Sequence, residues 1–393
     1  MGKLVELLAP AGDLERLKIS LLYGADAVYF GGQEYSLRAN ANNFSIDEIK
    51  DACTFAHNLG KKVYLTLNIV FHNEDLKDVN KFIKEVVDAG IDAFIVSDPF
   101  IIKYIKDNFD VEVHLSTQGS TTNVESVRYW KSEGVDRVVL AREVSIKEIK
   151  EIYDDTKIDL EVFIHGAMCT FYSGRCCLSN YFTNRDSNRG GCAQICRFAF
   201  DIDDNDIKFT MATKDLNMAS ILDKLIASGV KSLKVEGRMR SPYYLATVIS
   251  SYRKLIDSYY KNELTKELIE REEKILSRVA NRETSTHYYL KKADYNDQYY
   301  TGRQELSNQD FLALVLDYDE STNIATITER NYFKVGDEVE IFTPNGETYS
   351  FVVEKLYDEK MNPIDVARHP EEILKLYVPY KVTKDSMMRV KIN

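Results

Sequence analysis

The 393-residue chain lacks any uninterrupted apolar run of the ~18 residues that a membrane-spanning helix takes. Its opening, MGKLVELLAPAGDLERL, has no long apolar stretch and no small-residue cleavage site, and Glu6 stands where a myristoylation signal needs Ser or Thr. The expectation is a cytoplasmic protein with no membrane partner, a setting in which disulfides are rare and gathered cysteines bind metal or do chemistry. Several enzyme signatures are also missing. There is no HExxH, no GxSxG and no GxGxxG after the first predicted strand, which removes the common zinc peptidase, serine hydrolase and dinucleotide-binding motifs. Positive charge is in short supply: 51 Lys and Arg against 62 Asp and Glu give a net −11, which argues against general nucleic-acid affinity but leaves room for a local basic face. With 44% apolar and 29% charged residues, the composition is otherwise that of an ordinary globular chain of two or three domains.

What is present is a repeated unit. GADAVYFGG from Gly24, GIDAFIVSD from Gly90, GVDRVVLARE from Gly134 and GVKSLKVEGR from Gly229 each begin with Gly, pass through small or polar residues and end in a short apolar run. Stretches of helical period precede them, such as DLERLKISLLY and DLKDVNKFIKEVVDA. The Gly suits the position just past a helix, where φ is positive, and the apolar run suits a parallel strand buried on both faces. LVELL, KKVYLTL, VEVHL and LEVFI supply the other strands, so that eight strands alternate with helices over residues 1–260. Eight such units favour an α/β fold of the (β/α)8, TIM-like barrel type over a doubly wound sheet.

In such barrels the C-terminal strand ends face the functional mouth. Here those ends carry Asn68, Gln118, Arg142, His165, Glu236 and Arg238, among other polar residues. Between the seventh and eighth strands lies a long insertion, residues 166–212, which closes with FAFDIDDNDIKFTMA, a predicted hairpin with an Asp/Asn turn. Residues 261–304 read as a charged helical linker. From 305 to 393, short alternating runs (FLALVLDYD, IATITER, VGDEVEIFTP, TYSFVVEKLYD and MMRVKI) predict a small all-β barrel domain.

Five of the six cysteines fall between Gly166 and Arg197, spaced Cys169-x6-Cys176-x15-Cys192-x3-Cys196 with Cys177 beside Cys176. Four thiolates from one loop can bind zinc or an iron–sulfur cluster, and a set of reduced, buried thiols is the bland alternative. Paired Cys-x2–4-Cys knuckles would mark a zinc ribbon, and only the second pair comes close. Cys53, in a predicted helix, reads as core filling.

EVFIHGAMCTFYSGRCCLS, residues 161–179, resembles the signature of peptidase family U32, and NRDSNRGGCAQICR, the opening ELLAPAG and the later KVEGRMRSPYY extend the resemblance. The family bears the name of collagenase-like proteases, and several branches are oxygen-independent hydroxylation proteins carrying a [4Fe–4S] cluster. One branch forms 5-hydroxyuridine at the tRNA wobble position with prephenate required, one hydroxylates a cytidine of large-subunit rRNA, and one acts in ubiquinone synthesis. The barrel, the C-terminal β domain and the Cys-x3-Cys-Arg ending resemble the tRNA branch. Carried over, the resemblance makes Cys169, Cys176, Cys192 and Cys196 the cluster ligands and leaves Cys177 a neighbour of the site.

The resulting expectation is an iron–sulfur protein of tRNA modification, performing oxygen-independent, prephenate-dependent 5-hydroxylation of the wobble uridine (U34). Its partners would be tRNA, prephenate or a related small carboxylate, and a paralogous subunit. His165, Glu236 and Arg238 are the expected catalytic groups, with Glu236 orienting the Arg238 guanidinium toward a carboxylate or phosphate. Asn68, Gln118, Lys234, Arg185, Arg189 and Arg197 are the expected substrate-binding groups, and Tyr172, Tyr181 and Phe182 could stack on bases. The alternatives are a collagenase-like peptidase (a protease using Cys169 or Cys176 with His165), hydroxylation of rRNA or a quinone precursor, and a noncatalytic scaffold.

Overall fold

The computed structural model describes residues 4–37, 43–201, 208–280, 282–299 and 309–392. Eight parallel strands form the predicted barrel: Glu6–Pro10, Ala27–Gly31, Lys62–Leu67, Ala93–Val96, Glu112–Leu115, Arg137–Val139, Asp159–Gly166 and Ser232–Val235. Each pairs with the next, and the eighth closes the ring by pairing with both the seventh and the first. The repeated glycine after the helices takes φ of +110° at Gly24, +99° at Gly90, +85° at Gly134 and +94° at Gly229, as its place past a helix end requires. Ser45 with Glu48 and Ser145 with Glu148 form capping boxes that start the second and sixth helices, Ile46–Asn58 and Ile146–Thr156.

Strand alternation sorts side chains into two environments. Leu7, Val28, Val63, Phe94, Val113 and Leu233 belong to the large core that includes the surrounding helices. The neighbouring positions face the barrel axis, where Leu8, Ala27, Tyr29, Tyr64, Ala93 and Ile95 form a separate small cluster. Axial positions on the remaining strands are charged. Lys234 Nζ donates to Glu161 Oε1 at 2.8 Å, while Arg137 Nη1 reaches Glu6 Oε1 at 2.6 Å and Glu161 Oε2 at 3.1 Å. Glu161 is fully buried, and burial alone would raise its pKa. Lys234, Arg137 and His114 overcome that and hold it below the ordinary carboxylate range. Lys234 therefore sits inside the barrel, paired, with its ammonium 4.3 Å from the Tyr29 ring centre.

Two short strands extend the barrel sheet beyond the seventh strand: Asp215–Asn217 runs antiparallel to it, and Thr284–Ser285 runs parallel to Asp215–Asn217. The region read from sequence as a helical linker is therefore only partly one. The helix Lys266–Val279 is present, but residues 284–299 fold back on the barrel, with Tyr289 Oη donating to the Phe163 carbonyl at 2.6 Å. A two-residue pairing carries no periodicity, which is why the sequence did not reveal it. In the predicted hairpin, Phe200–Asp201 pairs antiparallel with Lys208–Phe209, while its Asp/Asn turn lies outside the described residues.

The C-terminal domain is all-β with its own core, an eight-stranded antiparallel sheet running from an edge at Thr348–Val352 to an edge at Pro363–Ile364. No pairing joins those edges among the described residues. Ile373–Tyr377, not anticipated from sequence, is a central strand beside Ile324–Glu329. The domain docks on the barrel's flank through Tyr23 Oη, which donates to the Asp385 carbonyl at 2.8 Å, and through Tyr243 stacked on Phe311 at 4.5 Å.

Candidate functional site

The insertion after the seventh strand is fastened across the C-terminal mouth of the barrel. The Val70 amide, just past the third strand, donates to the Asn188 carbonyl at 3.0 Å. Arg189 returns the contact, donating to the Val70 carbonyl at 2.7 Å and to Asp75 Oδ1 at 3.0 Å. Past the fifth strand, the chain comes so close that a Cβ at Gly174 would collide with the Gln118 carbonyl oxygen. Past the sixth, the Ser173 amide and hydroxyl donate to Glu143 at 3.0 and 3.1 Å. The cap thus reaches three separate strand ends, although it is one continuous segment.

Within the cap, polar side chains fix the backbone around the cysteines. Ser187 Oγ and Asn188 Nδ2 both donate to the Cys176 carbonyl, at 2.6 and 2.8 Å, and Thr210 Oγ1 donates to that of Cys196 at 3.1 Å. All six cysteines are free thiols. Cys169, Cys176, Cys192 and Cys196 are near enough to affect one another electrostatically: burial pushes the Cys196 thiol up to about 11, and Cys169, Cys192 and Cys176 add to the rise against Arg197. Cys169 and Cys192 are exposed at the surface, yet the protein around the Cys169 sulfur desolvates its thiolate enough to push that thiol up as well, opposed by the Phe171 amide and by Arg142. Cys177 lies beside Cys176 in the same segment. It is exposed and precedes the short helix Leu178–Thr183. Among the described residues, no three His, Cys, Asp or Glu side chains are gathered as they would be around a single ion. As a donor set, four soft thiols from one segment beside Arg142 and Arg197 have the chemistry to hold an iron–sulfur cluster. Cys53 is buried with its thiol pushed up to about 12, as core filling should be.

Beneath the cap, polar side chains line the mouth. Arg238 is buried, and its Nη1 donates to Ser36 Oγ at 2.9 Å and Thr66 Oγ1 at 3.2 Å. Those contacts carry it toward the second and third strands, whereas the Glu236 carboxylate lies 3.6 Å from Arg142 Nη2. Arg142 also covers the Phe163 ring at 4.1 Å, and its Nε is buried with no hydrogen-bond partner among the described residues. Asn68 Nδ2 donates to Ser116 Oγ at 3.1 Å, while its buried Oδ1 has no partner among the described residues. Buried polar atoms are nearly always satisfied, so these two atoms await partners that the described residues do not supply.

His165 is buried against Tyr244 and Tyr252, with Nδ1 3.3 Å from Tyr252 Oη. Burial, assisted by Arg240, lowers its pKa to about 3, so the imidazole is neutral near pH 7 and a poor proton acceptor there. The three cap arginines differ. Arg185 is exposed, Arg189 is spent on the Asp75 fastening, and Arg197 is half-buried among Arg240, Arg282 and Asp215. Asp215 takes Arg240 at 3.3 Å and Arg282 at 2.6 Å. The sequence reading did not single out Ser36, Thr66, Ser116, Asp215 or Arg282 as site residues. The strand-end position of Arg142 was a usable signal for it. Ser36 sits in a loop without one.

Unpartnered polar groups under a cap rich in cysteines make the C-terminal face of the barrel the candidate site. The chain belongs to peptidase family U32: residues 12–299 match the family's main domain and residues 307–389 its C-terminal domain. It is 46% identical to tRNA hydroxylation protein P1 of Bacillus subtilis, over 98% of this chain and 94% of that one. It is 33% identical to tRNA hydroxylation protein P of Haemophilus influenzae, covering 96% and 94% of the two chains. It is also 33% identical to a protein named collagenase in Porphyromonas gingivalis, covering 89% of each.

Proposed function

We propose that this protein acts in tRNA hydroxylation at C5 of the wobble uridine, a modification that does not use O2 and depends on prephenate. The observation that carries the reading is the four-cysteine segment fastened across a barrel mouth that holds Arg142, Arg238 and polar atoms without partners among the described residues. Similarity over nearly the whole length to proteins named for tRNA hydroxylation supports the RNA substrate.

In this reading Cys169, Cys176, Cys192 and Cys196 would hold a [4Fe–4S] cluster, which would supply electron transfer. The chain's own residues do the rest. Arg238, fixed by Ser36 and Thr66, and Arg142, fixed over Phe163, present guanidinium groups to a carboxylate, a geometry suited to bidentate recognition. Asn68 offers a carbonyl oxygen to a donor such as the N3–H of uracil. Neutral His165, held by Tyr252, shapes the floor. The cap screens the mouth from bulk water, which strengthens each of these contacts. The collagenase-named relative keeps a peptidase reading in view, but a Cys–His pair needs a basic imidazole, and His165 is not one. The test is mass analysis of wobble uridines in tRNA from a strain lacking the gene, complemented by wild type or Cys176→Ala. Hydroxylated uridine that is lost and restored only by wild type supports the reading. Unchanged tRNA in the deletion strain refutes it.

A further inference from the structure

The cap carries an outward-facing row of rings that neither the thiols nor the barrel mouth explains. Phe200 and Phe209 stand directly opposite each other in the two-stranded pairing, 5.6 Å between ring centres. Phe182, on the helix Leu178–Thr183, lies 5.8 Å from Phe200, and Tyr181 lies 5.2 Å from Phe182. The inner end of the row is half-buried and anchors it. The outer end is bare: Tyr181 is 83% exposed and Phe182 52%. Nearby in sequence, Tyr172 and Phe198 are 63% and 54% exposed. Exposed aromatic surface of this kind carries a solvation cost that a folded chain normally avoids unless something covers it.

Charge indicates what covers it. Residues 166–200 contain Arg175, Arg185, Arg189 and Arg197 against Asp186 alone, whereas Asp201, Asp203, Asp204 and Asp206 against Lys208 bring the whole insertion, residues 166–212, to zero, so the positive charge is confined to the side of the row that carries Tyr181 and Phe182. Arg175 and Arg185 flank the ring-bearing helix, both are exposed, and no side-chain hydrogen bond or ion pair engages either among the described residues. Ring faces flanked by free guanidinium groups match single-stranded nucleic acid, whose bases stack and whose phosphates pair with cations. We propose that Tyr181 and Phe182 form a stacking platform for unpaired bases of an RNA loop, with Arg175 and Arg185 contacting its phosphates. This proposal rests on the RNA substrate proposed above and adds where the loop around the target base is gripped. It also explains why the platform belongs to the cap: the same segment roofs the mouth into which a target base would have to be turned.

The experiment measures binding of a labelled anticodon-type stem-loop RNA, and of a fully paired duplex of equal length, to anaerobically purified full-length protein of verified iron content. Variants are Tyr181→Ala, Phe182→Ala, the double variant, Tyr181→Phe and Arg185→Ala. Each ring removed is expected to weaken stem-loop binding about ten-fold, leaving duplex binding and the salt dependence unchanged. Tyr181→Phe keeps a ring and should bind near wild type, and Arg185→Ala should reduce the salt slope. Equal stem-loop affinity of wild type and the double variant overturns the platform while leaving the RNA reading intact. A wild type that binds no RNA overturns both. A double variant whose only change is lost self-association overturns the platform and makes this face a contact between copies of the chain.

Discussion

Arg238 and Gly31 fit together as side chain and seat: a Cβ on Gly31 would come within 2.7 Å of the guanidinium Nη1 and collide with Ser36 Oγ, one of its acceptors. Gly31→Ala and Arg238→Ala are therefore both expected to weaken prephenate binding, each by about ten-fold or more. Arg238→Lys should recover only part, because an ammonium cannot replace a planar fork. Calorimetry on protein with wild-type iron content checks it. Undiminished binding in Gly31→Ala would show that the guanidinium position is not what matters.

Cys176 and Cys177 are adjacent in sequence and different in surroundings. Cys176→Ala should abolish bound iron and its visible absorbance, whereas Cys177→Ala should leave iron per chain near wild type. Anaerobic purification followed by iron and sulfide assay distinguishes them.

The buried Glu161–Lys234 pair predicts a specific non-additivity. Replacing Glu161 alone by an apolar residue strands the Lys234 charge inside the barrel and should cost about 3–5 kcal/mol of stability, whereas replacing Lys234 alone leaves Glu161 paired with Arg137 and should cost less. Glu161→Leu combined with Lys234→Met removes both charges and should be more stable than Glu161→Leu alone. Urea unfolding of the three variants supplies the comparison, with Arg137 and its partner Glu6 left in place.

Asp75 titrates as part of the cap fastening. The Arg189 hydrogen bond, outweighing partial burial, lowers its pKa, so its contribution is complete above the ordinary aspartate range and disappears as pH falls through the lowered value. The stability difference between wild type and Asp75→Asn should be about 1–2 kcal/mol near neutrality. It should shrink steadily below about pH 4. Thermal unfolding of both proteins across that range measures it, and a difference independent of pH would remove Asp75 from the fastening.

The barrel was legible because its grammar is local. A glycine past each helix and a short apolar run after it recur often enough to count strands, and the segment rich in thiols announces itself by composition. Lys234 shows where that reading stops. Alternation puts it on the axial face, but only the packed barrel reveals that Glu161 and Arg137 lie on neighbouring strands to engage it. Ser36 and Thr66 become partners of Arg238 through a contact spanning 202 and 172 residues of chain, and no local pattern encodes such a meeting. The return of residues 284–299 to the barrel escaped notice for the same reason: two paired residues have no period, and the binding is tertiary.

The placement of the cap sets an order on biosynthesis. Its anchors after the third, fifth and sixth strands leave the ribosome before Cys169, but the strand that closes the ring, Ser232–Val235, leaves after Cys196. During synthesis the four thiols are complete while their roof still rests on an open sheet. Any truncation before the eighth strand would therefore leave the four cysteines without the closed barrel beneath them.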